Sequence, residues 1–254
     1  DSGAGSLQFT LRNSLTFMGG TGSTPTVSED GSRVYVSDNV GNIIVLDSEL
    51  SQRWSYNLGA PAAASIAVSP DNAEVYAVTR TDVFKLIDEG DEGSLSWIAT
   101  LDAFRDDPDV EIEFQALTPT ITANGVAISV GGGLPIQDRE VMLKVGVGLL
   151  DRVTGQLRMF TPGREESIAV TSVVPNGGIC TANSPVRRAA GRALNPDPAD
   201  GIVGGISCYK PVRNDLLARD ATCGAGLRAR NAATITGLKA SSAEQDILQI
   251  RVLI

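Results

Sequence analysis

A chain of 254 residues with a net charge of -9 would repel a phosphate backbone over most of its surface, which argues against a nucleic-acid partner. Its 42% hydrophobic and 20% charged residues suit a globular protein able to bury a sizeable core, and exclude a disordered or fibrous one. It contains no His, which removes the commonest general base, the commonest zinc ligand and every Ser-His-Asp or Cys-His arrangement.

The chain opens on Asp-Ser-Gly-Ala-Gly without Met, which suits a mature secretory protein or a truncated one. Leu7 to Met18 mixes β-formers with polar residues and predicts one or two strands, broken by Gly19-Gly20-Thr21-Gly22-Ser23. Residues 24–56 then read as a complete β-module. Val34-Tyr35-Val36 and Ile43-Ile44-Val45-Leu46 are β-branched or aromatic runs, and the turn-forming Asn39-Val40-Gly41-Asn42 between them marks a hairpin.

The module recurs. Val27-Ser28-Glu29-Asp30-Gly31-Ser32-Arg33-Val34-Tyr35-Val36 lies over Val68-Ser69-Pro70-Asp71-Asn72-Ala73-Glu74-Val75-Tyr76-Ala77, and the same 41-residue offset carries Leu46-Asp47 onto Ile87-Asp88. With two extra residues Trp54 meets Trp97. A third copy opens at Leu117-Thr118-Pro119-Thr120-Ile121, restating Ser23-Thr24-Pro25-Thr26-Val27, and reaches Leu150-Asp151 and Thr154-Gly155 after an inserted loop predicted over Gly131 to Arg139. A fourth runs from Ile168 through Ile179-Cys180-Thr181-Ala182, is interrupted by the long segment Asn183 to Asp200, and resumes at Gly204-Gly205-Ile206-Ser207-Cys208-Tyr209. Beyond Leu227 the repeat fades, although Ile247 to Ile254 still alternates like a strand. A period of 40 to 45 residues with four short strands per unit predicts an all-β fold, a β-propeller. The copies fall at 24–60, 64–105, 117–160 and 168–212 in one domain over 1–254. Terminal strands at 7–18 and 227–254 are expected to complete a fifth blade and close the ring.

Val34-Tyr35-Val36, Gly41-Asn42-Ile43-Ile44-Val45-Leu46-Asp47 and Trp54, with Thr154-Gly155 in the third copy, resemble the repeat of the quinoprotein (PQQ-like) β-propellers. The resemblance covers roughly residues 24–212 and implies an extracytoplasmic protein, periplasmic or extracellular. Enzymatic members of that family hold the quinone between a Trp floor and a disulfide of adjacent cysteines, with a catalytic Asp and a calcium bound by Glu and Asn. Here no two Cys are adjacent, and Trp54 and Trp97 occupy the repeat's own packing position, so the resemblance is to the non-enzymatic type.

Candidate sites fall where the copies depart from the pattern. Asp107 and Asp109, in an acidic run from Asp106 to Glu113, are candidate calcium ligands, as are Asp197 and Asp200 in the long loop; oxygen-only ligands suit that ion. A strand spreads its carboxylates, so a solvated edge is the preferred reading of the acidic run, and no cofactor is expected. Arg187, Arg188 and Arg192 form the sole basic cluster and are candidate contacts to an acidic partner. An extracytoplasmic protein would pair two of its three Cys. Cys208 with Cys223 is preferred and Cys180 with Cys208 is the alternative, on strands that would neighbour within one blade.

These features point to a binding or scaffold propeller that presents inter-blade loops to a protein partner, with no segment apolar enough to span a membrane as a helix. The alternatives are a quinoprotein-like dehydrogenase or a metal-dependent hydrolase using carboxylates, and a structural subunit of a larger extracellular assembly.

Overall fold

The computed structural model describes residues 10–105, 112–136, 139–162, 170–173, 178–183 and 205–209. Blade 1 is the antiparallel meander β1 (Thr26–Val27), β2 (Arg33–Ser37), β3 (Asn42–Asp47) and β4 (Gln52–Asn57). Blade 2 repeats it with β5 (Ala67–Val68), β6 (Glu74–Val78), β7 (Asp82–Asp88) and β8 (Gly93–Thr100). Blade 3 comprises β10 (Thr120–Thr122), β11 (Gly125–Ile136), β12 (Arg139–Leu150) and β13 (Leu157–Pro162), with an additional strand β9 (Glu113–Ala116) beside β11. Three described strands make blade 4: β14 (Ser172–Val173), β15 (Ile179–Asn183) and β16 (Gly205–Tyr209). The first strands of blades 2, 3 and 4 adjoin, and the sheets pack face to face. The chain is therefore all-β and built as a propeller.

Both faces of a blade are buried, so its middle strands read as unbroken apolar runs although their side chains alternate. In β6, Val75 and Ala77 pack toward blade 1 and Tyr76 and Val78 toward blade 3. Burying each of these larger side chains stabilises the fold by roughly 1.5–3 kcal/mol. The low aromatic content is concentrated here, with Tyr35, Tyr76, Trp54 and Trp97 all at blade-to-blade contacts.

The repeated Thr-Pro-Thr has a defined task. Thr26 Oγ1 donates to the Ile66 carbonyl (2.6 Å) and Thr120 Oγ1 to the Thr171 carbonyl (2.6 Å), so each hydroxyl ties one blade's first strand to the next. Blade 2 has Ala67 at that position, and the Ser65 N–H donates instead to Thr118 Oγ1 (3.0 Å).

Several expectations need correction. Residues 10–18 form no strand; Phe17 lies over Val36, Ile44 and Leu46 on the face of blade 1 that points away from blade 2. Only Phe17 in that stretch finds apolar cover, so nothing holds it in a ladder. The loop predicted over Gly131 to Arg139 is instead the continuation of the β11–β12 hairpin. The glycines belong to it because a Cβ on Gly132 would meet the Phe114 ring at 2.6 Å and Ile112 at 2.8 Å. The 41-residue offset also slips within the ladder. Val36 pairs with Ile44 but Ala77 pairs with Phe84, so the second hairpin is one residue tighter and Asp88 extends one position past the counterpart of Asp47.

Cys180 and Cys208 are joined, in place of the preferred Cys208–Cys223 pairing; they stand directly opposite on β15 and β16 with Cα atoms 4.0 Å apart. Adjacent strands bring together two residues 28 apart in sequence, while Cys223 lies outside the described residues. Converting both Cys180 and Cys208 to Ser should lower stability by about 2–4 kcal/mol by freeing that loop in the unfolded chain. Urea unfolding measures the loss, and peptide mapping of the parent protein should recover the Cys180–Cys208 link.

Candidate functional site

The meander sorts the connections onto two faces. One carries the turns after the first and third strands, held by a repeated Ser–Asp chemistry: Asp30 accepts from the Ser28 and Ser32 hydroxyls and Asp71 from the Ser69 hydroxyl. Those hydrogen bonds, Ser28 first, hold the Asp30 carboxyl well below the usual range. The opposite face carries the second hairpin turns and the blade-to-blade connections. Here blade 3 departs from the others, because β11 and β12 are 12 residues each while the matching strands of blades 1 and 2 are 5 to 7.

Beside that projection lies a cavity of about 430 Å³. Arg80 and Thr81 of the β6–β7 turn form one wall, the 3-10 turn Leu101–Phe104 and Arg105 a second, and β9 a third. Thr100 caps the 3-10 turn, its hydroxyl accepting from the Asp102 N–H (3.2 Å). Buried Leu101 and Phe114 supply the apolar lining. Arg105 is pinned: it donates to Asp102 Oδ1 (2.7 Å) and the Ile112 carbonyl (3.0 Å), with its guanidinium over the Phe114 ring at 5.6 Å. Arg80 is exposed and makes no ion pair with any described residue, and Glu113 at the start of β9 is likewise exposed and unpaired among them.

Two charge clusters bind neighbouring blades. Between blades 1 and 2, the fully enclosed Asp88 carboxylate accepts from Arg33, the Tyr35 hydroxyl (2.8 Å), the Trp54 indole N–H (3.0 Å) and the Gly90 N–H (2.9 Å). Burial pushes its pKa up, but these donors outweigh burial and hold it below the ordinary value. Burial and the same carboxylate push the Tyr35 phenol up. Between blades 2 and 3, Glu74 accepts from Lys85 (2.7 Å), the Tyr76 hydroxyl (2.8 Å) and Arg152 Nε (3.0 Å). Burial raises its pKa, but these donors outweigh burial and give a net fall. The Trp97 indole N–H donates to the Arg152 carbonyl (3.1 Å), so the two Trp serve blade packing in both copies. Since these donors and acceptors satisfy one another across the joint, the clusters fasten blades and offer no open position to a substrate.

The sequence-derived candidates fall elsewhere. Asp107, Asp109, Asp197, Asp200, Arg187, Arg188, Arg192 and Cys223 lie outside the described residues. Among the described residues no three His, Cys, Asp or Glu side chains gather to hold a metal, and no helix is long and apolar enough to cross a membrane. Sequence reasoning missed the cavity, whose residues come from three separated stretches with no shared motif. It also passed over Lys85, although a lysine inside the apolar run Val83-Phe84-Lys85-Leu86-Ile87 is a visible signal of a buried ion pair.

No protein-family model matches the chain, and no curated protein does. Among solved structures it is similar to BamB from Moraxella catarrhalis, at 16% identity and TM-score 0.43, covering 64% of this chain and 46% of that one. It is similar to the quinohemoprotein alcohol dehydrogenase from Comamonas testosteroni, at 13% and 0.48, covering 67% and 31%. A third is the β-propeller domain of Cps50 (Swd1) from Myceliophteria thermophila, at 11% and 0.48, covering 65% and 48%. The chain thus spans between about a third and a half of each.

Proposed function

We propose that this protein is an extracytoplasmic, non-catalytic β-propeller of the PQQ-like kind that presents its inter-blade connections to a protein partner, with residues 1–254 as one domain. The observation that carries the reading is the oversized β11–β12 hairpin. Its ladder runs on past the length of the matching hairpins, to Ile136 paired with Arg139, and Val130 to Gly133 are flanked by a third strand, β9. A rigid projection on the connection-bearing face is suited to contact, since binding residues on loops depend on a scaffold that positions them. The Cys180–Cys208 link supports an oxidising compartment.

The test is to replace residues 134–141 by Asn-Gly, which closes the hairpin between the paired Gly133 and Met142. Cross-linking in the native extracytoplasmic fraction should give one defined adduct with the parent protein and none with the shortened one, at unchanged circular dichroism. An unchanged adduct would overturn the contact surface. Substrate turnover by purified protein carrying a bound quinone or a stoichiometric metal would overturn the non-catalytic reading.

A further inference from the structure

We infer that the cavity beside β9 receives an extended peptide from a protein partner, which adds as a strand to the edge of β9 that pairs with no described strand. This deepens the proposed function and rests on it. The first ground is backbone direction. Among the described residues β9 pairs with β11 alone. The Leu117 N–H donates to the Ser129 carbonyl, so by antiparallel alternation Glu113 and Gln115 direct their backbone groups toward β11 and Phe114 directs its own the other way. The cavity lies on that other side: Ile112 to Gln115 line it along with the 3-10 turn, and among the described residues none of β11 does.

The second ground is chemistry. An unpaired strand edge supplies main-chain hydrogen bonds to an added strand, and a pocket beside it selects side chains. Here Leu101 and Phe114 provide an apolar lining, and among the described residues the rim carries a cation, Arg80, and an anion, Glu113, that make no ion pair. Arg105 is already matched by Asp102. The complementary peptide therefore has an apolar residue between an acidic and a basic one, the acidic residue toward Arg80 and the basic residue toward Glu113. A volume of about 430 Å³ suits a short segment of this kind and not a folded domain.

The probe is acetyl-Asp-Val-Leu-Val-Lys-amide, together with its order-reversed form, titrated calorimetrically into the intact protein. One of the two should bind saturably at one to one. Of two N-methylated versions, one blocked at the central Leu and one at both Val, a single one should lose at least tenfold in affinity, because a strand offers every second N–H to its neighbour. Arg80→Glu should weaken the preferred peptide at least tenfold. No saturable binding, or equal affinity of the two methylated peptides, would overturn the inference. The hairpin replacement leaves Gly133 and the β9 pairing in place, so the two readings separate. Loss of the partner adduct without peptide binding removes only this one, whereas an unchanged adduct with alternating peptide binding removes the hairpin surface and keeps the cavity.

Discussion

Replacing Asp88 by Ala should cost about 3–5 kcal/mol, the range for removing one partner of a buried ion pair, and lower the melting temperature by roughly 10 °C. The carboxylate is wholly enclosed and gathers a guanidinium, a phenol, an indole and a backbone N–H from two blades. Without it Arg33 and the Trp54 indole are left without their acceptor at a joint whose buried core is apolar. Arg33 keeps 22% of its side chain in water, which places the expected loss toward the lower end of the range. The effect is tied to pH. Because the Asp88 pKa is lowered in the folded state, its stabilisation is complete above the ordinary value of 3.8 and is lost as pH falls through the lower folded value. Glu74 contributes with the same sign. Urea midpoints measured from pH 7 downward should therefore show the parent protein weakening below about pH 4, with the gap to Asp88→Ala narrowing as it does. A gap that stays constant to pH 2 would show that the charge at Asp88 is not what joins the blades.

Trp97→Ala should be of comparable size, about 3–5 kcal/mol, as for other buried large aromatics. The indole covers Gly155 of blade 3, where a Cβ would come within 2.8 Å of the ring, and it lies 5.8 Å from the Tyr76 ring. Gly155 also holds φ at +73°, a conformation that favours glycine, so the neighbour offers no simple way to fill the vacated space. The variant loses both the packed ring and the donor to the Arg152 carbonyl. Trp97→Phe should recover part of the loss through packing alone. Trp54 then remains as the single indole, so its fluorescence during unfolding reports on the joint between blades 1 and 2 while circular dichroism reports on the whole fold. A loss below about 1 kcal/mol for Trp97→Ala would mean that blades 2 and 3 are held chiefly by the Glu74 cluster, since exposed aromatic truncations cost little.

The repeat was legible because it is written in turn chemistry and strand period, which act over a few residues. Ser28 and Asp30, or Ser69 and Asp71, close their turns with groups two to five positions apart, so the same letters recur wherever the same turn is built. Thr26 and Thr120 were visible as a restated triplet, though their partners Ile66 and Thr171 could be named only from the packed blades. The one-residue slip between Val36–Ile44 and Ala77–Phe84 escaped alignment because turn residues matched on either side of it. The cavity was not legible at all. Arg80, Leu101 and Phe114 lie on three segments whose approach depends on the angle between two blades, and no local pattern encodes that angle.

Sequence alone determined that this protein is a chain of repeated β-meanders, the first two 41 residues apart, that it lacks histidine chemistry, and that its two Trp belong to the repeat. Each follows from composition or from interactions within one hairpin. Tertiary structure alone decided that Cys180 pairs with Cys208, that the triple glycine continues a strand, and that Asp88 and Glu74 fasten separate joints. Those outcomes depend on which residues of distant segments are brought to within a few ångströms: strand pairing within blades 3 and 4 sets the first two, and face-to-face packing of the blades the third.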